Sequence, residues 1–257
     1  MDIYLISLEQ DIQRRTELAK RFPETYPKMK WIKAINGKEL IAKEYFYYMQ
    51  DYLKKHNRML TPGEVGCTLS HINALEQFIE TEEKIALILE DDIIGNDKDI
   101  EKISAIAKQL DQNSILLCGG QTSNGNSHYQ LGKKAYIDNV VKLSEFSYQY
   151  VYGTCCYVLT RESALQILAS HNNYLKVADN WGLFFFNMPF QIYYTNVLHH
   201  PDDRTNSHLH SERLSLLEPA NFIQRIKSGR FFIKNINLIK CYLIISYLFL
   251  IGYRRIC

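Results

Sequence analysis

The chain lacks several features that would settle its class at once. It has no apolar run long enough to cross a bilayer as a helix: the best stretch, Cys241–Tyr253, holds 13 residues where about 20 are needed. It has no G-x-x-x-x-G-K-[ST] loop, which removes the P-loop phosphate binders. Its six cysteines, Cys67, Cys118, Cys155, Cys156, Cys241 and Cys257, form no C-x-x-C pair and no zinc spacing. Most lie inside apolar runs, which points to buried thiols in a reducing compartment. No basic leader precedes the strand-like first residues, so a cytoplasmic protein is the expectation. Internal repeats and long linkers are also missing, which argues against a solenoid or a string of domains.

Acidic residues are missing from one region only. None follows Glu218, whereas Arg225, Lys227, Arg230, Lys234, Lys240, Arg254 and Arg255 all do. Removing those seven positive charges from the overall +2 leaves the preceding residues at −5. An acidic body with a basic, apolar tail suits an anionic membrane surface better than nucleic acid. Residues 218–228 alternate Phe222, Ile223 and Ile226 with Arg225 and Lys227, an amphipathic pattern. Residues 241–253 fit an interfacial anchor, or a helix docked on the body.

At 257 residues, 46% hydrophobic and 23% charged, the chain can bury one large α/β core with a small appendage. It is also rich in tyrosine, with 18. Such residues suit ring stacking or membrane interfaces, and extra core tyrosines explain the number equally well.

The most informative stretch is Ile85–Asp92, five apolar residues running into Glu90, Asp91 and Asp92. A continuous apolar run of this length fits a strand buried on both faces. Acids at its carboxyl end would face the crevice where open α/β sheets bind ligands. Three adjacent carboxylates repel one another and are eased by a divalent cation. The alternative is a solvated acidic turn.

Around it the pattern alternates. Asp2–Leu8 reads as a first strand, followed by a helix over Ile12–Phe22 with Asp11 as its N-cap. Arg14 and Arg15 lie in the first turn, the unfavourable end for a cation, so they either meet an anion or are simply solvated. Lys30–Ile35 is a second strand closed by the turn dipeptide Asn36-Gly37, and Lys43–Lys55 a helix. Thr61-Pro62-Gly63-Glu64 is a helix start with a capping box, and Val65, Leu69, Ile72, Leu75 and Ile79 continue at helical spacing. Ser70 and His71 are neighbours about a hundred degrees apart on that helix, which excludes a nucleophile–base pair. His71 either lines a site or is a hydrogen-bonded core histidine.

Asp97–Leu110 is a further helix, Ser114–Cys118 a strand, and Gln121–Leu131 a polar loop near the site. Ala135–Leu143 and Thr154–Leu159 read as strands, Arg161–Ala169 as a helix capped by Thr160, and Phe190–Leu198 as a strand ending in His199-His200-Pro201-Asp202-Asp203. That last cluster has metal- or phosphate-type side chains, or is a surface turn. Strands alternating with helices imply a mostly parallel sheet.

Taken together, the order of motifs resembles glycosyltransferase family 25, the bacterial lipopolysaccharide and lipooligosaccharide transferases related to collagen galactosyltransferases. The likeness rests on Ile3–Leu8 with Arg14-Arg15, Ala34-Ile35-Asn36-Gly37, the G-E-x-G-C-x-L-S-H element at Gly63–His71, and Leu87–Asp92. Weaker matches follow at Gly153–Leu159, Ala164 and Asp179, and the likeness covers residues 1–207.

The resemblance implies a GT-A-type, Rossmann-like α/β fold: a mixed, mostly parallel sheet flanked by helices, here followed by a basic, apolar helical tail. We divide the chain into a catalytic domain over residues 1–210 and a membrane-associating tail over 211–257. The resemblance further implies an inverting transfer of a hexose, galactose from UDP-galactose in particular, to a lipooligosaccharide or related glycan. A D-x-D-like motif would hold Mn²⁺ or Mg²⁺ on the donor diphosphate. The corresponding triplet is Glu90-Asp91-Asp92, with Glu in place of the usual first Asp.

Oxygen ligands and phosphates suit these metals, and charge neutralisation on the departing nucleoside diphosphate is the hard part of the reaction. We therefore expect Asp92, Glu90 and His199 as metal ligands, His200 being the alternative to His199. Ser7, Leu8, Arg14, Glu90 and His71 are expected around the donor. Asp179 is the expected general base on the acceptor hydroxyl, with Asp91 second. The expected partners are the nucleotide-sugar donor, a glycan or glycolipid acceptor and an anionic inner-membrane surface, with no nucleic acid. This places the protein peripherally at the cytoplasmic face of a bacterial inner membrane. The competing readings are a nucleotidyltransferase or metal-dependent phosphohydrolase on a similar sheet, and a non-catalytic carbohydrate-binding module.

Overall fold

A computed structural model describes residues 1–121, 126–201, 212 and 230–256. Chain order is β1 (Asp2–Ser7), α1 (Ile12–Arg21), β2 (Lys30–Lys33), α2 (Ala42–His56), α3 (Pro62–Ile79), β3 (Ile85–Glu90), α4 (Asp97–Ala107) and β4 (Ser114–Gly119). It continues with β5 (Leu131–Lys134), β6 (Val141–Leu143), β7 (Cys156–Thr160), α5 (Arg161–Ser170), α6 (Gly182–Phe185), β8 (Gln191–Leu198), α7 (Arg230–Leu250) and β9 (Arg254–Arg255).

Among the described residues the strands make one nine-stranded sheet, in the order β2-β1-β3-β7-β4-β8-β6-β5-β9. β1 pairs in parallel with β2 and β3, and β4 in parallel with β8. β7 is inserted antiparallel between β3 and β4, so those two share one direction. Five of the first six strands across the sheet therefore point the same way, and antiparallel pairing resumes at β6, β5 and β9. This is the mixed, mostly one-directional α/β sheet expected above.

The apolar run of β3 is explained by its two faces. Ala86 and Ile88 point into a core formed with Leu75 and Phe78 of α3, Ala164 of α5 and Trp181. Leu87 and Leu89 point to the other core, with Leu18 of α1 and Ile100 and Ile103 of α4. All four are fully buried, and each larger side chain contributes on the order of 2 kcal/mol by leaving water. The acids begin at the residue where the sheet ends and the chain reaches solvent.

Local signals mostly hold. Thr61 and Glu64 form the capping box, with the Thr61 side chain accepting from the Glu64 amide at 3.0 Å and Glu64 accepting from the Thr61 amide at 2.9 Å. Thr160 caps α5. Asn96 and Asp99 make a second capping box that starts α4. Asp11 occupies the N-cap of α1 but gives that helix no side-chain cap bond.

Asn36-Gly37 opens the expected turn, the Glu39 amide donating to the Asn36 carbonyl at 2.9 Å, but the glycine has a reason other than backbone conformation. Gly37 is not among the positive-φ glycines. A Cβ on it would come within 1.6 Å of the Pro62 carbonyl oxygen, and one on Gly66 within 2.4 Å of the Ile35 carbonyl oxygen. Both glycines let the 35–37 segment lie directly on the first turns of α3.

Ala135–Leu143, expected as one strand, holds instead the turn of a hairpin and its short second strand, since β5 ends at Lys134 and β6 begins at Val141. β5 and β6 pair antiparallel, with Lys134 opposite Val141. Asn139 adopts φ 59° in the turn, a left-handed conformation that Asn tolerates.

The apolar tail segment docks on the body. Ile245 and Leu248 of α7 pack on Leu131, and β9 adds to the sheet edge beside β5. Its other face, with Ile239, Leu243, Tyr247 and Leu250, is exposed. No helix among the described residues is long and apolar enough to cross a membrane. The 218–228 pattern, Asp202-Asp203 and the 210/211 boundary lie outside the described residues.

Candidate functional site

The carboxyl ends of β1 and β3 open on a cleft of about 500 Å³. One wall is Ser7, Leu8 and Arg14, from the end of β1 and the first turn of α1. A second is the 34–38 segment with Gly63, Cys67, Ser70 and His71 of α3. The third is Gly120, residues 152–155, Asp179 and His200, and Glu90, Asp91 and Asp92 form the floor.

Each acid has its own set of partners. Glu90 accepts a hydrogen bond from the Thr154 hydroxyl at 2.5 Å, and its Oε1 lies 3.4 Å from His71 Nε2. Burial works to raise the Glu90 carboxyl, but the contacts from His71 and Thr154 and the charge of His200 outweigh it, so it stays below the ordinary carboxylate range.

Asp91 is buried, accepting from Ser7 Oγ at 2.6 Å and from Arg14 Nη1 at 3.1 Å. Its burial, with the nearby Asp92 charge, outweighs these bonds and raises it. Asp92 Oδ2 lies 3.6 Å from Arg14 Nη1 and 3.3 Å from His200 Nε2. Its Oδ1 is buried without a hydrogen-bond partner. His200 is raised to about 9, chiefly by its hydrogen bond to Asp92, with burial opposing. It is therefore an imidazolium at neutral pH.

Ser7, Leu8, Arg14, His71, Glu90, Asp91, Asp92 and Asp179 thus come together, although the first and last are 172 positions apart in the chain. His199 does not join them. Its amide and carbonyl pair with Ile94, and strand alternation turns the next residue, His200, toward Asp92. The pair of arginines is also split. Arg14 serves the acids, whereas Arg15 bonds Ser7 Oγ and the Leu8 and Glu9 carbonyls and lies 4.5 Å over the Trp31 ring. Ser70 is structural: it accepts from the Ile35 amide and donates to the Gly66 carbonyl.

Asp179 and Asp91 differ in setting. Both Asp91 oxygens are engaged by Ser7 and Arg14, which suits a positioning role. Asp179 lines the wall beside Gly153, whose amide donates to the Asp179 carbonyl.

Glu212 was not foreseen. It accepts from the Gly63 amide at 2.9 Å and pairs with Lys38 Nζ at 3.1 Å, so a carboxylate rests on the amino end of α3. Nothing in its surrounding sequence marks it. Thr154 and Cys67 were also missed as individual contacts, although both fall inside the recognised motifs.

The cleft suits a divalent cation. The orphaned, buried Asp92 Oδ1 lacks a donor, and Glu90 and Asp92 offer hard oxygen ligands. These oxygen ligands suit Mg²⁺ or Mn²⁺.

A sheet with a parallel strand ending in carboxylates at an open cleft has the layout in which open α/β sheets bind ligands. The family model for glycosyltransferase family 25 (LPS biosynthesis protein) matches residues 1–181. The chain belongs to that family. It is 27% identical over 228 residues to a glycosyltransferase 25 family member of Anopheles gambiae, covering 85% of this chain and 35% of that protein. It is 26% identical over 178 residues to human procollagen galactosyltransferase 2, covering 66% of this chain and 28% of that protein. The chain thus spans about a third of the length of these relatives. Among solved structures, mannose-1-phosphate geranyltransferase from Thermus thermophilus is a distant likeness, with a TM-score of 0.40 and 7% identity over 76% of this chain and 73% of that one.

Proposed function

We propose that this chain is an inverting, metal-dependent hexosyltransferase that moves galactose from UDP-galactose to a lipooligosaccharide or related glycan. The observation carrying this reading is the carboxylate floor of a cleft of about 500 Å³, where Asp92 Oδ1 is buried without a hydrogen-bond partner.

Asp92 and Glu90 would hold Mn²⁺ or Mg²⁺, which neutralises charge on the departing diphosphate. Arg14 and the His200 imidazolium keep the floor from being purely anionic and leave cationic groups near the phosphates. Ser7 and Leu8 border the nucleoside. Thr154 and His71 hold the Glu90 carboxylate in one orientation. Asp179, which also lines the cleft, takes the proton from the acceptor hydroxyl. The exposed apolar face of α7, with Lys240, Arg254 and Arg255 nearby, supports a peripheral seat on an anionic membrane at its cytoplasmic side, where a lipid-linked acceptor is met.

The test is thermal stabilisation by a panel of nucleotide sugars with and without Mn²⁺. UDP-galactose with Mn²⁺ should give the largest shift. Equal shifts without metal, or with free saccharide alone, would overturn the donor reading.

A further inference from the structure

The cleft contains a second set of ligand atoms, which shares Glu90 with the carboxylate floor and adds Cys67, a residue with no part in the proposed transfer. Cys67 Sγ, a His71 ring nitrogen and a Glu90 carboxylate oxygen all lie within 4.8 Å of one another. Cys67 and His71 are four residues apart on α3, so both project from one face of the helix. Glu90, at the end of β3, meets them across the helix–sheet interface.

The histidine is prepared as a ligand. His71 is 4% exposed, and its Nε2 is buried with no hydrogen-bond partner. Its Nδ1 lies 2.9 Å from the Tyr157 hydroxyl. A metal on Nε2 requires the tautomer with its proton on Nδ1, which the Tyr157 hydroxyl can accept; before metal binds, Nε2 faces Glu90 Oε1 at 3.4 Å. The carboxylate is prepared as well, since Thr154 donates to it at 2.5 Å. Outer contacts of this kind orient the ligands of metal sites.

We propose that Cys67, His71 and Glu90 form a binding site for a borderline-soft divalent ion of the Zn²⁺ class, distinct in its chemistry from the oxygen set around Asp92. A thiolate, an imidazole and a carboxylate are Zn²⁺ ligands, whereas Mg²⁺ and Mn²⁺ prefer oxygen. Three protein ligands leave a fourth position open to the cleft, which Cys67, His71 and Glu90 all line. Binding forms a metal–sulfur bond and releases the Cys67 thiol proton to solvent. Because Glu90 belongs to both sets, occupation of this site withdraws it from the carboxylate floor.

The experiment uses Co²⁺ on the full chain stripped of metal. One equivalent should produce a thiolate-to-cobalt charge-transfer band, and Zn²⁺ should bleach it. Cys67→Ser should abolish the band and weaken Co²⁺ binding at least about tenfold. Asp92→Asn should leave the band in place. Absence of the band in the wild type, or its survival in Cys67→Ser, overturns the site. Should Cys67→Ser fail to fold, alkylation of the wild type answers instead: stoichiometric Zn²⁺ should protect Cys67, followed by peptide mass spectrometry, and unchanged labelling overturns the proposal. Both readouts report metal–sulfur ligation and not sugar transfer, so either reading can fail while the other stands.

Discussion

His200 Nε2 lies 3.3 Å from Asp92 Oδ2. This contact joins the end of β8 to the end of β3, two strands separated in the sheet by β7 and β4. It supplies Asp92 Oδ2 with a second cation beside the one from Arg14. The two positive partners account for one Asp92 oxygen and leave the other unpartnered.

Removing that second oxygen should therefore cost transfer more than folding. Asp92→Asn is expected to lower kcat/KM with Mn²⁺ by about 10²-fold or more, the scale of a lost charge-stabilising group. Its unfolding midpoint should stay near that of the wild type. Wild-type turnover by this variant would remove Asp92 from the donor site.

Asp179 predicts a different signature. Asp179→Asn should reduce kcat by on the order of 10²- to 10⁴-fold, the usual contribution of a general base. Donor affinity, read by the thermal shift with UDP-galactose and Mn²⁺, should hardly change. A loss of donor binding in place of kcat would assign Asp179 to the donor and leave the base unassigned.

Stability should fall on mild acidification because of His171. Burial, with the Lys176 charge, depresses His171 to about 4, and its Nδ1 accepts from the Lys176 amide at 3.2 Å. Between roughly pH 6.5 and pH 4 the unfolded chain binds a proton there that the folded chain does not, so stability declines as pH drops through that window. The full effect approaches about 3 kcal/mol. Urea midpoints measured from pH 7 to pH 4 should show the decline, and His171→Gln should flatten it.

The contact between the 35–37 segment and α3 admits no side chain. Gly66→Ala places a Cβ within 2.4 Å of the Ile35 carbonyl oxygen and 2.5 Å of the Gly37 amide nitrogen. Backbone must move on one side, at a cost of about 1–3 kcal/mol. Denaturant unfolding measures this, and a variant as stable as the wild type would mean that the segment yields freely.

The exposed face of α7 gives the membrane reading its own test. Leu243, 66% exposed, and Ile239, 60% exposed, point away from the body. Replacing both with Glu should sharply reduce sedimentation with vesicles containing anionic lipid while preserving the fold. Wild-type chain that ignores such vesicles would sink the idea.

Much of the site was legible because its residues sit in local patterns. The apolar run into Glu90-Asp91-Asp92 marks a strand end. Thr61 and Glu64 mark the start of the helix that brings His71 to it. Local order also places Asp2–Ser7 ahead of Arg14. Other parts carry no such mark. A scan for paired cysteines passes over Cys67, because its metal-type neighbours are one helical turn and one strand away. Glu212 and Thr154 reach the cleft only through long-range contacts.

By itself, then, the sequence determined the alternation of strands and helices, the acid-tipped strand and the family, since each depends on short-range periodicity and motif order. Only the tertiary structure decided the antiparallel insertion of β7, the choice of His200 over His199 beside Asp92, and the docking of α7 on Leu131. Strand direction depends on how a connection crosses the sheet. The facing of a side chain depends on register, where a shift of one residue reverses it. Neither quantity is written within a local window of residues.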